Sequence, residues 1–176
     1  SPCRYRRLFM RNLPRKCNIA VTGCTDNCLH TETQDIALVP AYHDLGHDKC
    51  FGYNVLVGGK LGSGGYRIAS SLDMFVNPAE AFDVCRTLLH IYRDHGPREN
   101  RTQARLAFLV EAWGESRLRH EVEVRMGRAL PSAGVDARAA GERDHIGIFR
   151  QKQRGMNYIG LKILVGRIKA GDLRNI

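Results

Sequence analysis

The chain has 176 residues, with 27 Lys and Arg against 18 Asp and Glu, a formal charge of +9. Its 43 % hydrophobic and 26 % charged residues exclude a disordered tail, and no apolar stretch reaches the roughly 18 to 20 residues that span a bilayer. The start Ser1-Pro2-Cys3-Arg4 has neither an initiator Met nor an apolar signal core, as in a piece cut from a longer chain.

Residues 17–23 alternate and are rich in β-branched side chains, which predicts a first strand ending at Gly23. A polar loop over 24–34 leads to a second strand over Asp35–Pro40, stopped by its proline, and a turn over 43–49 contains Gly46. Phe51–Val57 is a third strand, closed by the glycine-rich loop 58–65. Asn77-Pro78-Ala79-Glu80 starts a helix, with Asn as cap, Pro at the first helical position and Glu three residues after the cap. Phe82, Cys85, Leu89 and Tyr92 then share one apolar face until Gly96-Pro97 stops the helix. A second helix over about 99–113, with core residues Leu106, Leu109, Val110 and Trp113, ends at Gly114. A third, over about 115–130, spaces Leu118, Val122 and Met126 four apart.

The Ala-, Gly- and Pro-rich stretch that follows is read as a linker. Beyond it, His145–Phe149 and Ile159–Val165 are two strands flanking the basic turn Arg150–Gly155. The expected class is α+β: a mixed sheet with covering helices over 1–130, a linker over 131–142, and over 143–176 the opening strands of a second unit.

The excess charge sits at the two ends. Residues 1–16 carry +6 (Arg4, Arg6, Arg7, Arg11, Arg15 and Lys16), residues 143–176 another +6, and the middle is −3. Such segments suit a polyanion, whether nucleic acid, an acidic protein or a cofactor with many carboxylates; solvated tails would look the same. Six cysteines at 3, 17, 24, 28, 50 and 85 read as small core residues of a reduced protein rather than a disulfide framework, Cys85 above all. Cys24-x-x-x-Cys28 near His30 invites a metal, but no second cysteine pair completes four ligands, and no metal-ligating set is assigned.

In Leu13-Pro14-Arg15-Lys16-Cys17-Asn18, strand alternation turns Lys16 and Asn18 one way and Arg15 the other. A cation beside an amide can grip a small oxyanion; equally, an edge-strand lysine discourages aggregation. The glycine loop fits no nucleotide-binding pattern, so close approach of its backbone to a bulky neighbour is the reading kept. Gln151, Lys152 and Gln153 lie in a turn whose donors suit carboxylate or phosphate, or simply an exposed hairpin tip.

The order of motifs resembles the sirohaem domain of the nitrite and sulfite reductase family, most of all its bacterial ferredoxin-dependent nitrite reductase branch. The likeness runs through Asn12-Leu13-Pro14-Arg15-Lys16-x-Asn18, Asp35-Ile36-Ala37, Phe51–Gly59, Tyr92-Arg93-Asp94-x-Gly96 and Arg98-x-Asn100-Arg101-x-x-x-Arg105-Leu106. It continues through Arg143–Gly147, Gln151-Lys152-Gln153 and Val165-Gly166-Arg167. The resemblance implies a central fragment of a cytoplasmic enzyme that reduces nitrite to ammonia at sirohaem coupled to a 4Fe–4S cluster. Lys16 and Asn18 would be distal substrate residues, Arg15 and the Gln151, Lys152, Gln153 turn would approach sirohaem carboxylates, and the 143–176 segment would open a ferredoxin-like half domain.

By the same resemblance, both basic ends would serve the octacarboxylate haem. An acidic ferredoxin and the remainder of the same polypeptide would be the partners, with no nucleic acid and no membrane. The family's cluster cysteines are spaced C-x5-C and C-x3-C. Cys17 and Cys24 do not give the first spacing, so Thr22-Gly23-Cys24-x-x-x-Cys28 is read as an internal echo, with the true ligands outside this chain and the isolated chain inactive. Nitrite reductases of the family tend to carry Asn at position 18 and sulfite reductases Lys, which tilts the reading to nitrite over sulfite. A basic nucleic-acid-binding module is the rival of another class, disfavoured because aromatics are only 7 % and are not interleaved with the basic runs.

Overall fold

A computed structural model describes residues 12–44, 49–62, 64–139, 145–163 and 171. The motifs Arg143-Asp144 and Val165-Gly166-Arg167, and the basic residues Arg4 to Arg11, lie outside the described residues. The chain divides into two compact units, Ser1–Ala140 and Gly141–Ile176.

In the first unit, β1 (Ile19–Val21), β2 (Ile36–Asp44), β3 (Lys49–Val57) and β4 (Ser70–Val76) lie side by side in that order. β1 runs parallel to β2, and the other neighbours are antiparallel. Alternation builds two faces. Ile36, Leu38, Val55, Val57, Leu72, Met74 and Val76 point to the helices, while Ala37, Val39 and Leu56 form a smaller cluster on the reverse with Ala20 and Ala69. The helical layer is α1 (Ala81–His95) and α2 (Leu106–Met126), which drive Val84, Leu88, Ile91, Leu106, Leu109, Leu118 and Val122 into the same core. Each such aliphatic side chain, fully buried, contributes about 1.5–3 kcal/mol. The fold is α+β, as expected.

Several boundaries differ from the sequence reading. Pro40 does not end β2. Its carbonyl accepts from Ala137 N–H at 2.9 Å, so its nitrogen turns to the outer edge of β2 and no ladder bond to β3 is lost. Beyond β1 on that edge, β5 (Val135–Asp136) pairs with Ala41 and Tyr42, so the stretch read as a linker lies along the sheet. Asn54 fastens it, exchanging two 2.8 Å hydrogen bonds with the backbone of Gly134. β4 was not expected at all, although Leu72, Met74 and Val76 alternate inward.

Asn77 caps as expected, its side chain accepting from Ala79 N–H at 3.0 Å, and a 3-10 turn (Pro78–Glu80) leads into α1. Glu80 does not close a capping box; its carboxylate takes Arg128 instead. Phe82, expected in the core, is 65 % exposed, with the Arg86 guanidinium 5.8 Å from its ring centre; Val84 and Leu88 take the buried positions. The second helix starts at Leu106 rather than near Glu99, because Asn100 caps a separate 3-10 turn (Arg101–Gln103) and Arg105 stays extended. Gly114, at φ +74°, breaks α2 into two helical segments where the break was expected.

The second unit is a hairpin of β6 (Gly147–Arg150) and β7 (Asn157–Gly160), with Phe149 stacked on Tyr158 at 5.1 Å between ring centres. Among the described residues no helix is long and apolar enough to cross a membrane.

Candidate functional site

The segment leading into β1 is fixed by one buried carboxylate. Asp35, just before β2, is completely buried, and Arg105, just before α2, is 4 % exposed at its side chain. Arg105 Nε and Nη2 donate to Asp35 Oδ1 and Oδ2 at 2.8 and 2.6 Å, a fork that sets the plane of the carboxylate. Oδ2 also accepts the backbone N–H of Asn18 at 2.7 Å, and Asn18 O accepts from Ile36 N–H at 3.1 Å. Next to this pair, Tyr92 Oη donates to Ala104 O at 2.6 Å and lies 3.5 Å from Arg15 O.

This frame sorts the side chains. Cys17 packs in the helix-side core, whereas Ala20 packs on the reverse face, which Asn18 shares by alternation. Lys16 is exposed and Asn18 half-buried. Among the described residues neither the Lys16 ammonium nor the Asn18 side-chain amide meets a hydrogen-bonding partner, while the neighbouring buried charges neutralise each other. Arg15 is half-buried and donates through Nη1 to the Arg101 carbonyl. In the second unit, Gln151 folds its amide onto Asn157 O at 3.1 Å, while Lys152 and Gln153 are exposed at the hairpin turn.

Burial pushes the Cys85 thiol up to about 11. Burial first and the Asp35 charge second push the Cys17 thiol up as well. The fold therefore favours the protonated thiols. That contribution is complete below the ordinary thiol value of about 8.5 and, for Cys85, is lost as pH rises through about 11. Iodoacetamide at about pH 8 is expected to modify the exposed Cys24 and Cys28 first and to spare Cys17 and Cys85 until the chain unfolds; early alkylation of Cys85, read by peptide mass mapping, would contradict this.

The glycine loop makes its close approach internally. A Cβ on Gly59 would meet Glu32 O at 2.3 Å and Gln34 O at 2.6 Å, so the loop seats against the turn before Asp35. Lys60, 2 % exposed, is folded under it, donating to Gly64 O at 2.8 Å and lying 4.5 Å from the centre of the Phe108 ring. Among the described residues no three Cys, His, Asp or Glu side chains come together as a metal set.

Lys16, Asn18 and Arg15 stand out from the sequence alone, whereas Asp35 and Arg105 appear there only within matched motifs and Tyr92 only as an apolar-face residue. An acid placed directly before an apolar strand was the available signal, since a carboxylate there needs a buried partner.

Residues 5–130 match the family described as the nitrite and sulphite reductase 4Fe-4S domain. The chain is 44 % identical over 160 residues to a ferredoxin–nitrite reductase of Leptolyngbya laminosa, covering 90 % of the chain and 31 % of the relative. It is 40 % identical over 176 residues to the assimilatory ferredoxin-dependent nitrite reductase of Haloferax mediterranei, covering 93 % and 30 %. Among solved structures, the NirA protein of Mycobacterium tuberculosis superposes with a TM-score of 0.72 at 30 % identity, over 84 % of the chain and 26 % of that structure. The chain thus spans about a third of the length of the curated relatives it matches.

Proposed function

As this chain belongs to the nitrite and sulphite reductase family, we propose that it supplies the distal, substrate-facing side of the sirohaem site in an assimilatory nitrite reductase, with Lys16 and Asn18 as the residues that meet nitrite. The observation that carries the reading is electrostatic. Asp35 and Arg105 cancel each other in the interior, so Lys16 stands as a cation with no acid beside it among the described residues, next to a neutral amide donor. A small oxyanion is the ligand such a pair suits.

When bound, sirohaem would supply the iron and a 4Fe–4S cluster, whose cysteine ligands we place outside this chain, the path for electrons from the donor. The work of this chain is to bind and to protonate. Both nitrite oxygens leave as water, so protons must reach them, and in this reading the Lys16 ammonium is the donor. Asn18 orients the anion without adding charge. One cation and one amide fit a singly charged substrate, whereas a doubly charged sulfite gains from a second cation. Arg15, which donates through Nη1 to the Arg101 carbonyl, is of the residue type that takes a haem carboxylate as a fork; Lys152 and Gln153, exposed at their turn, and Gln151 carry donors of the kind a carboxylate accepts.

An acidic ferredoxin is the electron donor in this reading, and the enzyme is cytoplasmic. In this reading the first unit, Ser1–Ala140, belongs to its sirohaem-binding half, with the stretch around β5 part of that sheet rather than a free linker, and the segment 143–176, which contains the hairpin of β6 and β7, opens a ferredoxin-like half domain. In support of that division, the hairpin exposes Ile148 and Ile159, and two strands alone are marginal in water.

In the full-length enzyme, Asn18→Lys is expected to shift the ratio of kcat/KM for nitrite and sulfite towards sulfite; an unchanged ratio would count against Asn18 as the selecting residue. Oligonucleotide binding that collapses with salt, in a protein that takes up no haem, would favour the nucleic-acid reading instead.

A further inference from the structure

We infer that the buried Asp35–Arg105 pair is the positioning device of the substrate site, holding the backbone at Asn18 so that Lys16 and Asn18 present their donors to the same anion. This rests on the placement of nitrite at those two residues.

Asp35 Oδ2 takes the Arg105 Nη2–H at 2.6 Å and the Asn18 N–H at 2.7 Å, and Arg105 Nε at Oδ1 completes the fork. A carboxylate held at both oxygens by a planar guanidinium cannot rotate, so the direction in which it accepts from Asn18 is set by Arg105. Arg105 itself is placed from two sides. Its backbone stays extended at φ −74°, ψ 158° before α2 begins, and the preceding carbonyl, Ala104 O, is held by Tyr92 at 2.6 Å. Tyr92 Oη, its one proton given to Ala104 O, also lies 3.5 Å from the Arg15 carbonyl, so the residue before Lys16 lies against the same core assembly that holds Asn18.

Filling space does not require these groups, because a buried ion pair can be exchanged for apolar residues of similar volume at little cost. An apolar pair could not accept the Asn18 N–H. Nor could a lone carboxylate serve, since an uncompensated negative charge here would oppose an anionic substrate; as a pair, Asp35 and Arg105 hold the backbone without altering the field that Lys16 provides.

The test uses the full-length enzyme with its cofactors bound and the variants Asp35→Asn and Arg105→Gln. In Asp35→Asn one acceptor survives, but the amide turns a donor towards Arg105 and the fork is lost. Nitrite affinity is read from the visible spectrum, kcat and KM from turnover, and the Asn18 amide from hydrogen exchange of the peptide that contains it. Both variants are expected to weaken nitrite binding about 10- to 100-fold and to speed exchange at Asn18. An effect through charge alone would have opposite signs, tighter nitrite in Asp35→Asn and weaker in Arg105→Gln, and would overturn the inference. Faster exchange with unchanged nitrite affinity would also overturn it, leaving a packing role only. Should Arg105→Gln fail to accumulate in loaded form, Arg105→Lys keeps the charge without the fork and is read the same way: weaker nitrite supports positioning and unchanged affinity overturns it. Lys16→Ala measured alongside separates the two levels. If that variant binds and reduces nitrite normally, the placement of the substrate is wrong; if it fails while the Asp35 and Arg105 variants behave as wild type, only the positioning role is wrong.

Discussion

Lys16→Ala in the full-length reductase is expected to lower nitrite turnover about 100- to 10,000-fold, the usual contribution of a positioned proton donor, while leaving the sirohaem absorption bands in place. The size follows from two losses at once. The variant removes the positive charge that draws nitrite to the site, and it removes the ammonium protons that the departing oxygens need. The Lys16 side chain is exposed and meets no partner among the described residues, so its removal leaves no buried group unsatisfied and the fold is expected to stay intact. Lys16→Arg should recover charge but not geometry, because guanidinium is a fork and a poor proton donor, and should restore nitrite affinity more than kcat. Turnover within a few-fold of wild type in Lys16→Ala would remove this residue from the chemistry.

The largest loss of stability is expected at Arg105. Arg105→Met leaves the Asp35 carboxylate buried with only the Asn18 N–H to satisfy it, and breaking a buried pair in this way costs about 3–5 kcal/mol. Urea unfolding monitored by circular dichroism should show that loss as a fall in midpoint at unchanged slope. The double variant Asp35→Leu with Arg105→Met removes both charges and should recover most of it, because the cost lies in the orphaned carboxylate rather than in the missing attraction. A single-variant loss below about 1 kcal/mol, the level typical of an exposed pair, would mean that the two groups are hydrated.

Where neighbouring residues decide the conformation, the chain could be read directly. The alternation of Ile36 and Leu38, and of Val55 and Val57, marks strands whose inner faces meet the helices, and Asn77-Pro78 marks a helix start that the cap confirms. Gly114 breaks the helical run because its φ of +74° costs glycine nothing. What could not be read depends on distant partners. Pro40 continues β2 because its nitrogen faces the outer edge, where Ala137, far along the chain, donates to the Pro40 carbonyl and the ladder to β3 loses nothing. Phe82 fits the apolar period, yet the position of the sheet under α1 buries Val84 and Leu88 instead. Lys16 and Asn18 stand out as a cation beside an amide, but the carboxylate that accepts the Asn18 backbone N–H is clamped by a guanidinium 70 residues away, and no local pattern couples the two.

The most direct measurement is a structure of the full-length reductase with nitrite bound. Lys16 Nζ and Asn18 Nδ2 are expected within hydrogen-bonding distance of the anion, about 2.7–3.2 Å. Nitrite seated elsewhere, with both side chains turned away from it, would contradict the assignment of this segment to the substrate face.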